Sequence, residues 1–243
     1  MAVCLAETYA ENTAYVRNYD EVVSLTCPHY DALHNSLAKA FKKHFEKELG
    51  LIRVLELGTG TGKTTRTILS CYDRSVVFSV DKNELLLEKA RKNLASEIKA
   101  GKVKLIPSAC LEYLRSAPCN YFDCFASAFT LHNFDESYRS QVIPLIYRAL
   151  KPGALFVNAD KYALDDVDSH KKTLAWQIAL TEEKLEDKVL REATKEHFLE
   201  DDFPKRIMHE GQAKEFMRSL GFANVETIYR EKMEAIVVGE KPK

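Results

Sequence analysis

The stretch VLELGTGTGKTT, Val54 to Thr65, decides how the chain is read. It closes on Gly62-Lys63-Thr64, the ending of a phosphate-binding loop, yet glycine also stands at 58, 60 and 62. A phosphate loop needs glycine, four residues, then Gly-Lys-Ser/Thr, so that backbone N–H groups wrap a β-phosphate. Its first glycine would fall at position 57, which is Leu57, so the loop is one residue short. The acid that ends VVFSVD imitates a magnesium-binding strand but does not repair that length. A dinucleotide fingerprint, G-x-G-x-x-G, would need its third glycine at 63, which is Lys63. What remains is acid-x-G-x-G-x-G on Glu56, Gly58, Gly60 and Gly62. Glycine permits a sharp turn from strand to helix and lets a ligand lie against bare backbone. Asp81 ends the next apolar run, 21 residues beyond Gly60, where a nucleotide fold places the acid that accepts ribose hydroxyls.

Working outward, apolar runs alternate with helical patterns. Tyr30, Leu33, Leu37, Phe41, Phe45 and Leu49 recur at three- and four-residue steps, which predicts a helix over 28–49 with Pro28 in its first turn. LIRVLEL before the glycines predicts a buried strand, and SVVFSV, KVKLI, YFDCFASAF and ALFVNA predict four more. Helices are expected at 63–72, at 83–99 with Gly101 as its cap, and at about 135–150, ending at Lys-Pro-Gly. Strands separated by helices argue for a parallel sheet with helices on both faces. After Asp160 the character changes: 168–200 is charged and amphipathic, with Leu174, Ile178, Leu185 and Val189 as inward positions. A helix at 208–220 and a closing strand pair, ANVETIYR and KMEAIVVGEK, complete the chain.

The 243 residues suit one α/β domain with a helical cap, and 46% hydrophobic against 29% charged residues suits a packed core with a hydrated surface. The net charge is −1 and the basic residues form no block, which argues against a nucleic-acid partner. The six cysteines form no CxxC pair and no Cys/His spacing suits zinc, so no metal is expected, and Cys71, Cys110 and Cys124 read as small core hydrophobes. The opening MAVCLAETYAENT lacks a basic segment and a long apolar run, so it does not read as a signal peptide. No run of about 18 apolar residues predicts a membrane span. The expected setting is cytoplasmic, with no membrane partner, as a monomer or homodimer.

VLELGTGTG, VFSVDKNELLLEKAR, FDCFASAFTLHNF and ALKPGALFVNAD follow one another over roughly residues 15–160. In that order and spacing the sequence resembles the class I S-adenosylmethionine-dependent methyltransferases. YDEVVSLTCPHYDAL and AFTLHNF resemble more narrowly the branch that includes carboxy-S-adenosylmethionine synthase and many small-molecule methyltransferases. The resemblance implies an α/β, Rossmann-like doubly wound sheet, mostly parallel with an antiparallel C-terminal strand. It implies one domain: an N-terminal helical lid (1–49), a cofactor-binding core (50–160), a helical cap after the fifth strand (161–220) and closing strands (221–243). The implied cofactor is S-adenosylmethionine, as methyl donor or as the substrate itself.

Carried over, Gly58, Thr59, Gly60 and Gly62 would line its methionine and ribose part, and Glu56 would hold its amino group. Asp81 would bind the ribose and Lys82 would flank the adenine. Tyr30 matches a tyrosine that reaches the cofactor in the carboxy branch, and Ala128, followed by Phe129, stands where that branch has asparagine. Ser108 and Ala109 occupy the place of the family's Asp and small residue, and serine lacks the charge. The branch's late-helix arginine has only loose counterparts in Arg191 and Arg206.

The acceptor site belongs beyond the carboxyl ends of the strands. His132, Asp160 and Tyr162 lie there as catalytic candidates, with Asn133 and Lys161 close by. Histidine suits a general base, though one that follows a strand also serves to cap a helix. Trp176 and Arg206 are candidate cap residues over the acceptor. Tyr15 and Tyr19, with Tyr30, are candidates for aromatic faces toward a sulfonium, worth about 0.5–2 kcal/mol each. The expected reaction is methyl transfer to a small molecule. The alternatives are conversion of the cofactor itself, by cyclisation with release of methylthioadenosine or by carboxylation, and a non-catalytic cofactor-binding subunit.

Overall fold

The computed structural model describes residues 13–243; the expectations on residues 1–12, Cys4 and the start of the lid among them, lie outside these. Seven strands form one sheet: β1 (Ile52–Leu57), β2 (Ser75–Asp81), β3 (Val103–Pro107), β4 (Phe122–Ala128), β5 (Leu150–Lys161), β6 (Ala223–Glu231) and β7 (Glu234–Glu240). Their order is β3-β2-β1-β4-β5-β7-β6. The first five are parallel, and β7 runs antiparallel to both β5 and β6. This is the doubly wound sheet expected from the sequence. Winding proceeds outward from β1 in both directions, so a crevice opens between the carboxyl ends of β1 and β4.

Alternation along the strands explains why both faces are covered. Val54, Cys124, Ala126 and Val157 face one layer, where Leu33, Leu37 and Phe41 of α3 (Tyr30–His44) pack against them. Leu55, Leu57, Phe125 and Phe156 face the other layer. Phe41 is fully buried, and burial of such a side chain contributes about 1.5–3 kcal/mol.

Several boundaries move. Helix α3 ends at His44, and Leu49 lies 80% exposed beyond it. The 83–99 helix divides at Leu94 into α5 (Glu84–Asn93) and α6 (Ala95–Lys99), and the Leu94 side chain packs over Gly62. Strand β5 starts at Leu150, because Lys-Pro-Gly is absorbed through an irregularity in its pairing with β4. The charged segment folds as α9 (Val167–Lys184) and α10 (Lys188–Asp201), whose first turns are capped by Asp166 and Asp187. Leu185 is buried as expected, but Val189 is 69% exposed. The buried positions here include Gln177, Thr181 and Thr194. The apolar stripe fails because part of this face lies over a polar cavity rather than the core. Two short helices, α1 (Thr13–Arg17) and α2 (Tyr19–Thr26), pack on α10 and α9 respectively. Among the described residues no helix is long and apolar enough to cross a membrane.

Candidate active site

The loop after β1 turns on positive φ at Gly58 (+78°) and Gly60 (+53°). A Cβ on Gly58 would overlap Thr130, so only glycine allows the two loops to meet. A Cβ on Gly60 would meet nothing within 4 Å, so its bare backbone faces open space. That space is a cleft of about 630 Å³, counting its open mouth. Its walls come from Gly58 and Gly60, from Asp81 and Lys82, and from Ala128 and Phe129. Asp81 accepts the Gly60 N–H at 2.9 Å through Oδ2 and the Asn83 N–H at 2.8 Å through Oδ1. These two bonds fix its orientation at the rim of the cleft.

Glu56 lies fully buried under the loop. Thr65 and, at 2.7 Å, Ser79 donate to its Oε2, while Oε1 has no partner. Burial raises its carboxyl to about 7 despite the two hydroxyls. Thr59 sits beside it, 2.7 Å from the Ser79 hydroxyl, and Gly62 begins α4 (Lys63–Cys71); both shape the loop without lining the cleft. Thr61 donates to Asp20 at 2.6 Å and ties the loop to α2.

A second, more enclosed space of about 370 Å³ adjoins the cleft, and Tyr19, Phe129 and Asn133 wall both. Its floor holds His132, whose Nδ1 is 2.5 Å from Asp160 Oδ1. Asp160 is wholly buried and accepts the N–H groups of Leu131 (2.8 Å) and Lys161 (2.9 Å). An acceptor-only carboxylate so placed takes a hydrogen bond from the Nδ1–H and fixes the orientation of the ring. Nε2 lies 3.7 Å from Asp201 Oδ2, and Lys161 Nζ lies 2.9 Å from the same oxygen. His197 joins the cluster from one helical turn before Asp201. Burial lowers the His197 imidazole to about 4 against the pull of Asp201, so it is neutral near pH 7. Burial works to raise Asp201, but Lys161, His197 and His132 together bring it down to about 2. His132, His197 and Asp201 hold ligand atoms within 4.8 Å of one another, a grouping that sequence spacing did not predict. The Lys161 ammonium already supplies positive charge at Asp201.

The other sequence candidates distribute as follows. Tyr15 walls the enclosed cavity. Tyr30 packs its ring 5.5 Å from Phe129, behind the cleft wall. Ser108 turns its hydroxyl to the Ala109 carbonyl at 3.1 Å, and Cys110 rather than either residue reaches the cleft. Tyr162 is a correction: just past the end of β5 it points into the core and takes a hydrogen bond from Asn158 at 2.9 Å. Trp176 is another: it sits on the outer face of α9 at 37% exposure under the Lys232 ammonium. Arg206 is a third: buried ion pairs with Glu200 at 3.0 Å and Asp135 at 3.6 Å hold it outside both spaces. Sequence reasoning missed Gln177, His197, Asp201 and Glu234, which all line the enclosed cavity. Only His197 and Asp201 carried a signal, their i, i+4 spacing on one helix face.

Residues 54–153 match the family model described as a methyltransferase domain. The chain is 30% identical over 129 residues to a demethylmenaquinone methyltransferase of Leptospira interrogans, covering 51% of each chain. Over this stretch the chain is similar to S-adenosylmethionine-dependent methyltransferases. It is also 21% identical over 150 residues to a carboxy-S-adenosyl-L-methionine synthase of Shewanella denitrificans, covering 61% of this chain and 59% of that one. The chain thus spans between about half and three fifths of the length of these curated relatives. Its fold matches a putative S-adenosylmethionine-dependent methyltransferase of Methanococcus maripaludis with a TM-score of 0.62 at 15% identity, covering 94% and 92% of the two chains.

The family's cofactor is S-adenosylmethionine. The residues present fit it: Gly60 leaves a bare cradle, Asp81 is set for vicinal hydroxyls, and the orphaned Glu56 Oε1 lies buried beneath the loop.

Proposed function

We propose that the protein transfers the methyl group of S-adenosylmethionine to a small molecule held in the enclosed cavity. The observation that carries this reading is the pair of adjoining spaces: a cleft with nucleoside-binding features and a separate chamber holding a poised base, divided by Phe129 and Asn133. Gly58, Gly60, Asp81 and Lys82 would hold the cofactor, with Glu56 toward its amino group. When bound, the cofactor supplies an electrophilic methyl carbon next to a good leaving sulfur.

The chain's own residues do the rest. His132 Nε2 takes a proton from the acceptor, and Asp160 keeps the imidazole in the required tautomer and stabilises the imidazolium that forms. Tyr19 and Phe129 close the chamber against water and position the acceptor beside the cleft. Such positioning supplies up to about 7–11 kcal/mol in favourable cases. A chamber beside the cleft favours a second molecule over self-conversion of the cofactor. The burial of Arg206 in ion pairs likewise disfavours a carboxylated cofactor.

Mass spectrometry of products from methyl-labelled cofactor, with and without a small-molecule cell extract, tests the reading. Label is expected in an extract-derived product with adenosylhomocysteine as co-product. Methylthioadenosine released from cofactor alone would contradict it.

A further inference from the structure

The enclosed cavity has a one-sided chemistry. Three buried side-chain atoms on its wall have no hydrogen-bond partner, and all are acceptors: Asn133 Oδ1, Gln177 Oε1 and Asp201 Oδ1. The Asn133 amide is oriented by its Nδ2–H, which donates to the Phe129 carbonyl at 3.1 Å. The Gln177 amide has its nitrogen 3.9 Å from Cys27 Sγ. In the neutral form of His132, whose Nδ1–H donates to Asp160, Nε2 is a fourth acceptor. Among the described residues, no fully buried side-chain donor of this wall lacks a partner. Buried polar atoms are normally paired, so the missing partner is a molecule rich in N–H or O–H groups.

Charge narrows the class. The one ammonium of the wall, Lys161, is committed to Asp201 and to the face of Phe198 at 4.9 Å. Glu234 places a further buried carboxyl on the same wall. Tyr15, Tyr19 and Phe129 line the same space, and aromatic faces attract cations. A hydroxyl donates one hydrogen; an ammonium donates up to three.

We infer that this cavity binds a small amine, with Asn133, Gln177, Asp201 and His132 accepting its N–H groups. The inference deepens the proposed function and rests on it for calling this amine the methyl acceptor. A bound ammonium passes one proton to His132 Nε2 and keeps the electron pair on nitrogen. The imidazolium then formed is held by the Asp160 carboxylate.

Ligand-observed NMR titrations test it with matched sets of one skeleton: benzylamine, benzyl alcohol and benzoate, then propylamine, propanol and propionate. Each is run on the free protein and on protein saturated with adenosylhomocysteine. The amine of at least one set is expected to bind at least ten-fold more tightly than its alcohol and carboxylate. Asp201→Asn should weaken that amine at least ten-fold, and Gln177→Leu about three-fold or more, with adenosylhomocysteine affinity kept within two-fold as proof of folding. If Asp201→Asn does not fold, Gln177→Leu carries the test. Equal or better binding of the carboxylates or alcohols, absence of amine binding, or amine affinity untouched by the folded variants would overturn the inference. So would stoichiometric Zn²⁺ binding that His197→Ala abolishes, since it gives the same side chains to a metal. Failure of adenosylhomocysteine to bind would instead strike the proposed function and leave the amine preference measurable on the free protein.

Discussion

The proposed cofactor cleft and the proposed acceptor cavity touch, yet they are built in opposite ways. The cleft sits at strand ends, and most of its wall comes from short contiguous stretches at or just after the ends of β1, β2 and β4. Its central carboxylate is satisfied twice by neighbouring N–H groups before any ligand arrives. The cavity draws on the segment after β4 and on α1, α2, β5, α9, α10 and β7, and it keeps three acceptor atoms unpaired. A site that holds one invariant ligand can be pre-satisfied and local. A site that selects an acceptor draws on distant elements, and its unsatisfied groups define what it takes.

The largest expected effect separates the two regions. His132→Ala should lower methyl transfer by about 10²- to 10⁴-fold, with adenosylhomocysteine affinity unchanged in a calorimetric titration. A parallel loss of affinity would mean the two spaces are not independent.

Glu56 tests the buried end of the cleft. Its carboxyl rises from 4.5 to about 7 on folding. Between these values the folded protein holds a proton that the unfolded chain releases, so stability falls as pH rises through that window. The ligand-free protein should lose on the order of 3 kcal/mol from this group alone. Denaturant titrations across pH 4–8 should show Glu56→Gln without that component of the slope; an identical slope in both proteins would remove Glu56 as its source.

Asp81→Ala should weaken adenosylhomocysteine by about 1.5–3 kcal/mol, the scale of charge-assisted hydrogen bonds. Binding of the amine probes to the free protein should not change, and a change there would again break the division. The smallest effect is expected at Trp176, which walls neither space. Trp176→Ala should leave methyl transfer and adenosylhomocysteine affinity within two-fold and shift stability by only about 0.5 kcal/mol.

The same contrast governs what could be read from the sequence. Gly58, Gly60 and Asp81 were legible because strand-to-helix turns and strand ends impose fixed spacings on a local stretch. The parallel order of β1 to β5 followed from alternation of strand and helix. His132 and Asp160 were visible as residues just past or at strand ends, though their pairing was not. Tyr162 was misjudged because closeness to a strand end does not tell whether a side chain turns to the site or to the core. Trp176 and Arg206 were misjudged because nothing in α9 or the turn after α10 tells which side meets the sheet. Gln177 and Glu234 were invisible for a related reason: they meet His197 and Asp201 only when α9, α10 and β7 close over β4 and β5.

The account turns on what the glycine loop and Asp81 hold. A calorimetric titration with adenosylhomocysteine, run beside ATP and NADH, tests this most directly. One adenosylhomocysteine per chain is predicted, with affinity lost in Asp81→Ala and no heat from ATP or NADH. Binding of ATP or NADH with indifference to adenosylhomocysteine would contradict it.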